Sequence, residues 1–137
     1  MAGYRWLFDW GADAYDFLTW QETWMEHSAS MADHFPSAEG PLDILDVGVG
    51  PGVSAVGLAR RLPDARIVGL DLSRRMLVRA RRRVDASMPL LQADITQLPF
   101  DDESFDIVTG HSFLYLLPDQ AAAMAEIARV LRPGGTS

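Results

Sequence analysis

Three aspartates, each placed at the end of an apolar run, and one set of alternating glycines carry the chemistry legible in this sequence. The stretch LDVGVGPG (45–52) follows an apolar segment, with Asp46 two residues before the first of Gly48, Gly50 and Gly52. Glycines at alternate positions after a strand leave the backbone bare, so a ligand can lie against it. Many such loops hold a pyrophosphate, and Gly50, Gly52 and Ala55 also satisfy GxGxxA, with Asp71 about 20 residues on as a ribose-binding acid. Asp46, Asp71 and Asp94 argue for a different ligand. Three carboxylates around one crevice would repel phosphates and favour a cation.

That argument needs elements that bring the acids together. PLDILDV (41–47) is a short apolar run entering the glycine loop, and VSAVGLARRL (53–62) resumes helical spacing. ARIVGLDL (65–72) predicts a second strand and MPLLQAD (88–94) a third. Ser73 is the expected N-cap of the helix between them. SFDIVTG (104–110) predicts a fourth strand, and Pro118 and Asp119 open a helix that is expected to stop at Pro133-Gly134-Gly135. Strands alternating with helices of this length predict an α/β fold, a Rossmann-like doubly wound parallel sheet. Its ligands bind outside the carboxyl ends of the strands, which is where Asp46, Asp71, Asp94, Gly110, His111 and Ser112 fall. S-Adenosylmethionine, with an ammonium, a sulfonium and no phosphate, suits such a crevice better than a dinucleotide. Residues 12–35 carry Tyr15, Leu18, Trp20, Trp24, Met25, Met31 and Phe35 at spacings that fit amphipathic helices. Two segments result: an N-terminal helical cap, 1–40, and a cofactor-binding domain, 41–137.

Composition narrows the field further. The 137 residues are 48% hydrophobic and 23% charged, ordinary for one globular domain. Without cysteine there are no disulfides, thiolate metal sites or Cys nucleophiles, and His27, His34 and His111 lack metal-ligand spacing. No metal and no nucleic acid are expected, since a net charge of −7 lacks the footprint that counterion displacement requires. The one basic stretch, SRRMLVRARRRV (73–84), reads as a solvated helix face, with an acidic partner as the sharper alternative. No membrane span or signal peptide is apparent, and the protein is read as cytoplasmic. Gly57 and Gly69 read as helix-sheet packing positions, Asp101, Asp102 and Glu103 as a solvated turn, and Asp106 as a structural hydrogen-bonding residue.

The ordered motifs resemble those of class I S-adenosylmethionine-dependent methyltransferases, in the group containing the ubiquinone and menaquinone C-methyltransferases. LDVGVGPG is similar to their D-x-G-x-G-x-G motif, GLDLS to the acidic second strand and QADITQLPF to the third-strand motif. DDESFDIVTGHSFLYLL and RVLRPGG resemble the fourth-strand motif and the turn into a fifth strand. The resemblance implies a methyltransferase acting on a small-molecule acceptor, at carbon or oxygen most readily. It implies that Gly48, Gly50 and Gly52 carry the methionine and ribose portions, and that Asp46 orders the loop or faces the ammonium. Asp71 would take both ribose hydroxyls, Leu72 and Met76 would cover the adenine, and Asp94 and the Ile95 amide would read its edge. Gly110 and His111 would lie near the transferred methyl, with His111 the candidate base, and Tyr15 would reach in from the N-terminal segment.

Family strand order, 3-2-1-4-5-7-6, leaves only strands 3-2-1-4 if the chain stops at Ser137 just before the fifth. The expectation is an incomplete four-stranded sheet whose fourth strand is an open apolar edge, and a homodimer through that edge. Two other readings remain: a catalytically inert cofactor-binding module or fragment, and an NAD-binding domain.

Overall fold

The structure, a computed structural model, describes residues 30–35, 40–110 and 117–137. Strand β1 (Asp43–Val47) runs into the glycine loop and helix α1 (Val53–Arg61). Strand β2 (Arg66–Asp71), helix α2 (Arg74–Arg83) and strand β3 (Leu90–Gln92) follow. Strand β4 (Phe105–Gly110), helix α3 (Gln120–Val130) and strand β5 (Leu131–Thr136) complete the described chain. The sheet has order β3-β2-β1-β4-β5, and every pairing is parallel. This is the doubly wound α/β arrangement that the alternation of runs predicts.

Residue types explain the layers. Within β1, Ile44 packs with Val49, Ala55, Leu58, Ile67, Val84 and Ile107 on the face carrying α1 and α2. Leu45 and Val47 pack with Leu70, Val108, Ala123, Ile127 and Val130 on the α3 face. Successive residues thus feed opposite cores, so the strand is apolar on both sides, as a central parallel strand must be. The helices start where their caps dictate. Ser73 Oγ accepts from the Met76 amide at 3.3 Å, and Asp119 Oδ1 accepts from the Ala122 amide at 3.0 Å.

The expectation of four strands is corrected. Helix α3 ends at Val130, and LRPGGT forms β5 against β4, pairing Phe105 with Leu131 and Ile107 with Thr136 across an irregular register. Strand β4 is therefore flanked on both sides, and the open fourth-strand edge that motivated a homodimer does not exist in this fold. Pro133 lies within β5, which is compatible with its position at the sheet edge. Arg132 on β5 bonds Asp43 Oδ2 on β1 at 2.8 Å and lies 3.1 Å from Asp106 Oδ2 on β4. Arg66 on β2 also pairs with Asp43, and the Asp43 amide donates to Asp106 Oδ2 at 2.8 Å. One ladder of charges thus crosses four strands at their amino ends, and Asp106 has the structural role its sequence position suggested. The third strand is shorter than predicted, because Asp94 leaves it to cap a 3₁₀ turn, Ile95–Gln97.

Candidate functional site

The opposite, carboxyl end of the sheet gathers the residues singled out by chemistry. Gly48, Gly50 and Gly52 have φ of 66°, 55° and 94°, in the left-handed region that strains any residue with a Cβ. Gly52 has a second reason to lack a side chain, since a Cβ there would sit 3.1 Å from the Ala80 Cα and 3.2 Å from Val84 Cγ1 on the side of α2. Gly69, read from sequence as a helix-sheet packing position, packs instead against the third strand and the glycine loop: a Cβ there would meet Leu90 and Val49 at 2.7 and 3.0 Å.

Asp71 is the lock on this loop. Its Oδ2 accepts from the Gly50 amide and its Oδ1 from the Ser73 amide, each at 2.9 Å. One carboxylate thereby holds the middle of the glycine loop and the start of α2, and the Val49 amide adds a bond to the Leu70 carbonyl at 2.9 Å. This amends the expectation that both oxygens are reserved for a ribose. A carboxylate oxygen accepts more than one bond, and Asp71 keeps 7% of its surface exposed.

Asp46 is wholly buried. Its Oδ2 accepts from Ser54 Oγ at 2.7 Å, and its Oδ1 accepts from Thr109 Oγ1 at 3.2 Å. Burial is the dominant influence and pushes its carboxyl up to about 6; the two hydroxyls oppose that rise, while the charge of Asp71 adds to it. Of the two roles left open for Asp46, this geometry supports ordering the loop. Direct contact with an ammonium is not what a side chain with no exposed surface offers.

The remaining predicted positions divide clearly. Leu72 is half-buried beside Asp71, Met76 is buried, and the Leu72 carbonyl accepts from Gln92 Nε2 at 3.0 Å. Asp94 is half-buried, its Oδ1 accepting from the Thr96 amide and hydroxyl at 2.9 and 2.8 Å, and Ile95 beside it is buried. Gly110 ends β4 and is exposed. Tyr15, His111 and Ser112 lie outside the described residues. Sequence reasoning passed over Ser54 and Thr109. A signal existed: Thr109 is a polar residue following the apolar pair Ile107-Val108 near the carboxyl end of β4, and the structure sets it directly opposite Asp46 in the β1–β4 register.

Backbone freed by glycines, with Asp71 and Asp94 as acceptors at the ends of β2 and β3 and the buried charge of Asp46 behind the loop, fits a ligand rich in hydroxyls and positive charge, while phosphates would meet carboxylates. A parallel sheet with this loop and these acids defines the class of Rossmann-like nucleoside-binding enzymes. More narrowly, the chain belongs to the methyltransferase domain family, which matches residues 44–135. S-Adenosylmethionine is the methyl donor of that family. A demethylmenaquinone methyltransferase of Chlorobaculum tepidum is 35% identical over 135 residues, covering 94% of this chain and 55% of the relative. A crystal structure from Methanococcus maripaludis, described as a candidate S-adenosyl-L-methionine-dependent methyltransferase, matches with a TM-score of 0.84 at 25% identity. That match covers 94% of this chain and 62% of the other. Phosphoethanolamine N-methyltransferase 2 of Haemonchus contortus, solved with phosphomonomethylethanolamine and S-adenosylhomocysteine, matches with a TM-score of 0.79 at 27% identity. It is covered to 31% of its length, against 93% of this chain. The chain spans between 27% and 55% of the length of the curated relatives it is compared with.

Proposed function

We propose that this chain binds S-adenosylmethionine at the carboxyl end of its sheet and serves methyl transfer to a small-molecule acceptor. The observation that carries the reading is the glycine loop held in left-handed geometry by Asp71. The Gly48–Gly52 backbone would support the methionine and ribose portions. Asp71 would accept from the ribose hydroxyls on the side of its oxygens away from the loop, Leu72 and Met76 would flank the adenine, and Asp94 and the Ile95 amide would meet its polar edge. Gly110 and His111 would lie on the acceptor side, His111 accepting a proton where the nucleophile carries one. Tyr15, from the segment 1–40 that we assign as a cap, would close the pocket.

The cofactor supplies an electrophilic methyl on a positive sulfur, and the protein's part is to align and desolvate the reacting atoms. A relative named as a ubiquinone/menaquinone C-methyltransferase, 42% identical over 100 residues, and a structural neighbour named as an N-methyltransferase, 27% identical, differ in the atom methylated, and we favour carbon or oxygen over nitrogen. Among the described residues no helix is long and apolar enough to cross a membrane, and a cytoplasmic setting is part of the proposal.

Calorimetry with S-adenosylhomocysteine and NADH tests the ligand class. Binding of the first and none of the second is expected, and the reverse would move the chain to the oxidoreductases. Asp71→Ala is expected to cost about 1.5–3 kcal/mol of cofactor binding through loss of charge-assisted hydrogen bonds. It should also speed amide exchange at Gly50 and Ser73 without any ligand. Unchanged affinity with accelerated exchange would leave Asp71 a loop anchor only.

A further inference from the structure

Asp46 has no exposed surface, yet a carboxylate seldom stays in such a place without a cation beside it. Its bonds from protein come instead from two neutral hydroxyls on different elements: Ser54 in the first turn of α1 and Thr109 near the end of β4. The register sets Thr109 directly across from Asp46 on one side, and Gly69, which has no side chain to compete, on the other. Thr109 Oγ1 also lies 3.5 Å from the Leu45 carbonyl. A hydroxyl has one proton to give, and the shorter contact to the carboxylate is the stronger acceptor.

We propose that Ser54 and Thr109 are positioning residues that hold Asp46 as an anion beneath the glycine loop, so that the positively charged end of the cofactor binds over a fixed negative charge. The proposal rests on the S-adenosylmethionine reading and deepens it. An alcohol can orient its dipole toward an anion without bringing a charge of its own, so the negative potential is retained for the ligand. An arginine in place of either hydroxyl would have neutralised it. The same triad joins β1, α1 and β4, and β4 leads directly into the acceptor side, so the charge is held at the seam between the two halves of the site. Burial has moved the Asp46 carboxyl up to about 6, so the loss of one hydroxyl should carry it further toward neutrality.

Among the described residues, three groups face Asp46. From β2 comes the like charge of Asp71, from α1 Ser54, and from β4 Thr109. His111 lies two residues beyond Thr109 in the chain, and since an unperturbed histidine changes charge in that pH range, it needs its own control.

The test uses the full chain with Thr109→Val, Thr109→Ser, Ser54→Ala and His111→Asn variants. Carbon-13 NMR follows the Asp46 carboxyl in the ligand-free protein, and calorimetry across pH measures S-adenosylmethionine and 5′-methylthioadenosine, which lacks both the ammonium and the sulfonium. In Thr109→Val and Ser54→Ala the carboxyl midpoint should rise above that of the parent. S-Adenosylmethionine should bind several-fold more weakly near neutral pH, while methylthioadenosine affinity stays within about twofold, the change expected when a charge rather than a shape is lost. Thr109→Ser should restore the parent behaviour. An unmoved carboxyl midpoint, an equal loss for both ligands, or a pH dependence that vanishes only in His111→Asn would overturn the proposal. If the parent chain binds neither adenosine compound, the cofactor reading falls, and the ligand-free titration still decides whether the two hydroxyls hold the charge.

Discussion

Asp43 and Asp46 lie three residues apart on one strand and respond to pH in opposite directions. Asp43 is held below the usual carboxylate range, first by its hydrogen bond from Arg66 and then by Arg132, against some desolvation. Its contribution to stability is present above about pH 3.8 and is lost as pH falls through the lowered folded value. Asp46 is raised by burial, so the folded chain holds that proton more tightly than the unfolded chain does. Its contribution is full below about pH 3.8 and is lost as pH rises through about 6. At neutral pH the buried charge therefore costs on the order of 3 kcal/mol relative to a protonated carboxyl. Asp46→Asn should raise the melting temperature at pH 7.5, with the gain shrinking as pH falls toward about 4, where the parent is itself largely protonated. Thermal melts of both proteins across that range check it. A constant difference at every pH would mean that the effect is packing, not ionisation. Binding of a cationic ligand should oppose the trend and release a proton below about pH 6, visible as a buffer-dependent binding enthalpy.

At the scale of elements, the glycine loop and α2 are one unit. Gly52 is the N-cap of α1 and lies against Ala80 and Val84 of the α2 region, while Asp71 ties Gly50 to Ser73, the N-cap of α2. Arg83 Nη1 adds a bond to the Pro51 carbonyl at 3.2 Å. The arginine-rich helix thus has a structural use on its inner side, and Arg81 bonds the Met88 carbonyl at 2.7 Å beyond its carboxyl end. Gly52→Ala should be costly in two ways. The left-handed backbone alone disfavours a Cβ by roughly 1–2 kcal/mol. The methyl would also push against the Ala80 backbone at 3.1 Å, which has no side-chain end to swing aside. Urea denaturation should show a loss of at least about that size, together with weaker cofactor binding. A stability equal to the parent would show that the loop relaxes away from α2 without penalty. On the other face, Arg129 on α3 bonds the Leu98 and Phe100 carbonyls, Glu126 and Asp102, pinning the segment that leads from the third-strand motif into β4.

For the whole molecule, β5 decides whether the apolar strand β4 is an interior or an edge. Strand β4 reads FDIVTG and is mostly buried, with β1 on one side and β5 on the other. Shortening the chain to end at Val130 would strip one row of hydrogen-bonding partners from β4 and remove the Arg132 contacts to Asp43 and Asp106. An exposed apolar strand of this kind templates pairing with another chain. The shortened chain should show a mass that rises with concentration in size-exclusion chromatography with light scattering, and faster amide exchange over residues 105–110. A monomer with those amides still protected would assign the cover of β4 to another segment. Full-length protein at equal concentration is the reference.

What the sequence determined by itself is what local chemistry encodes. The alternation of apolar runs and helical spacing defines four parallel strands, and the family resemblance supplies their order. The glycines at 48, 50 and 52 permit the left-handed backbone that the loop adopts, and Ser73 and Asp119 cap helices through bonds to amides three residues away. The acids at strand ends were legible for the same reason, since strand boundaries follow from pattern. Tertiary structure alone decided the rest. LRPGGT reads as a helix stop because proline and glycine dominate it, and it becomes a strand only because β4, about twenty-five residues earlier, presents an unsatisfied edge and Asp43 and Asp106 attract Arg132. Asp46 could be read as a ligand contact until its partners were visible, and those partners, Ser54 and Thr109, lie 8 and 63 residues away. Asp71 likewise reaches back 21 residues to Gly50. Hydrogen bonds of that range belong to no local pattern: packing α1 against β1 and β4 leaves the buried Asp46 carboxylate with those two hydroxyls as its donors.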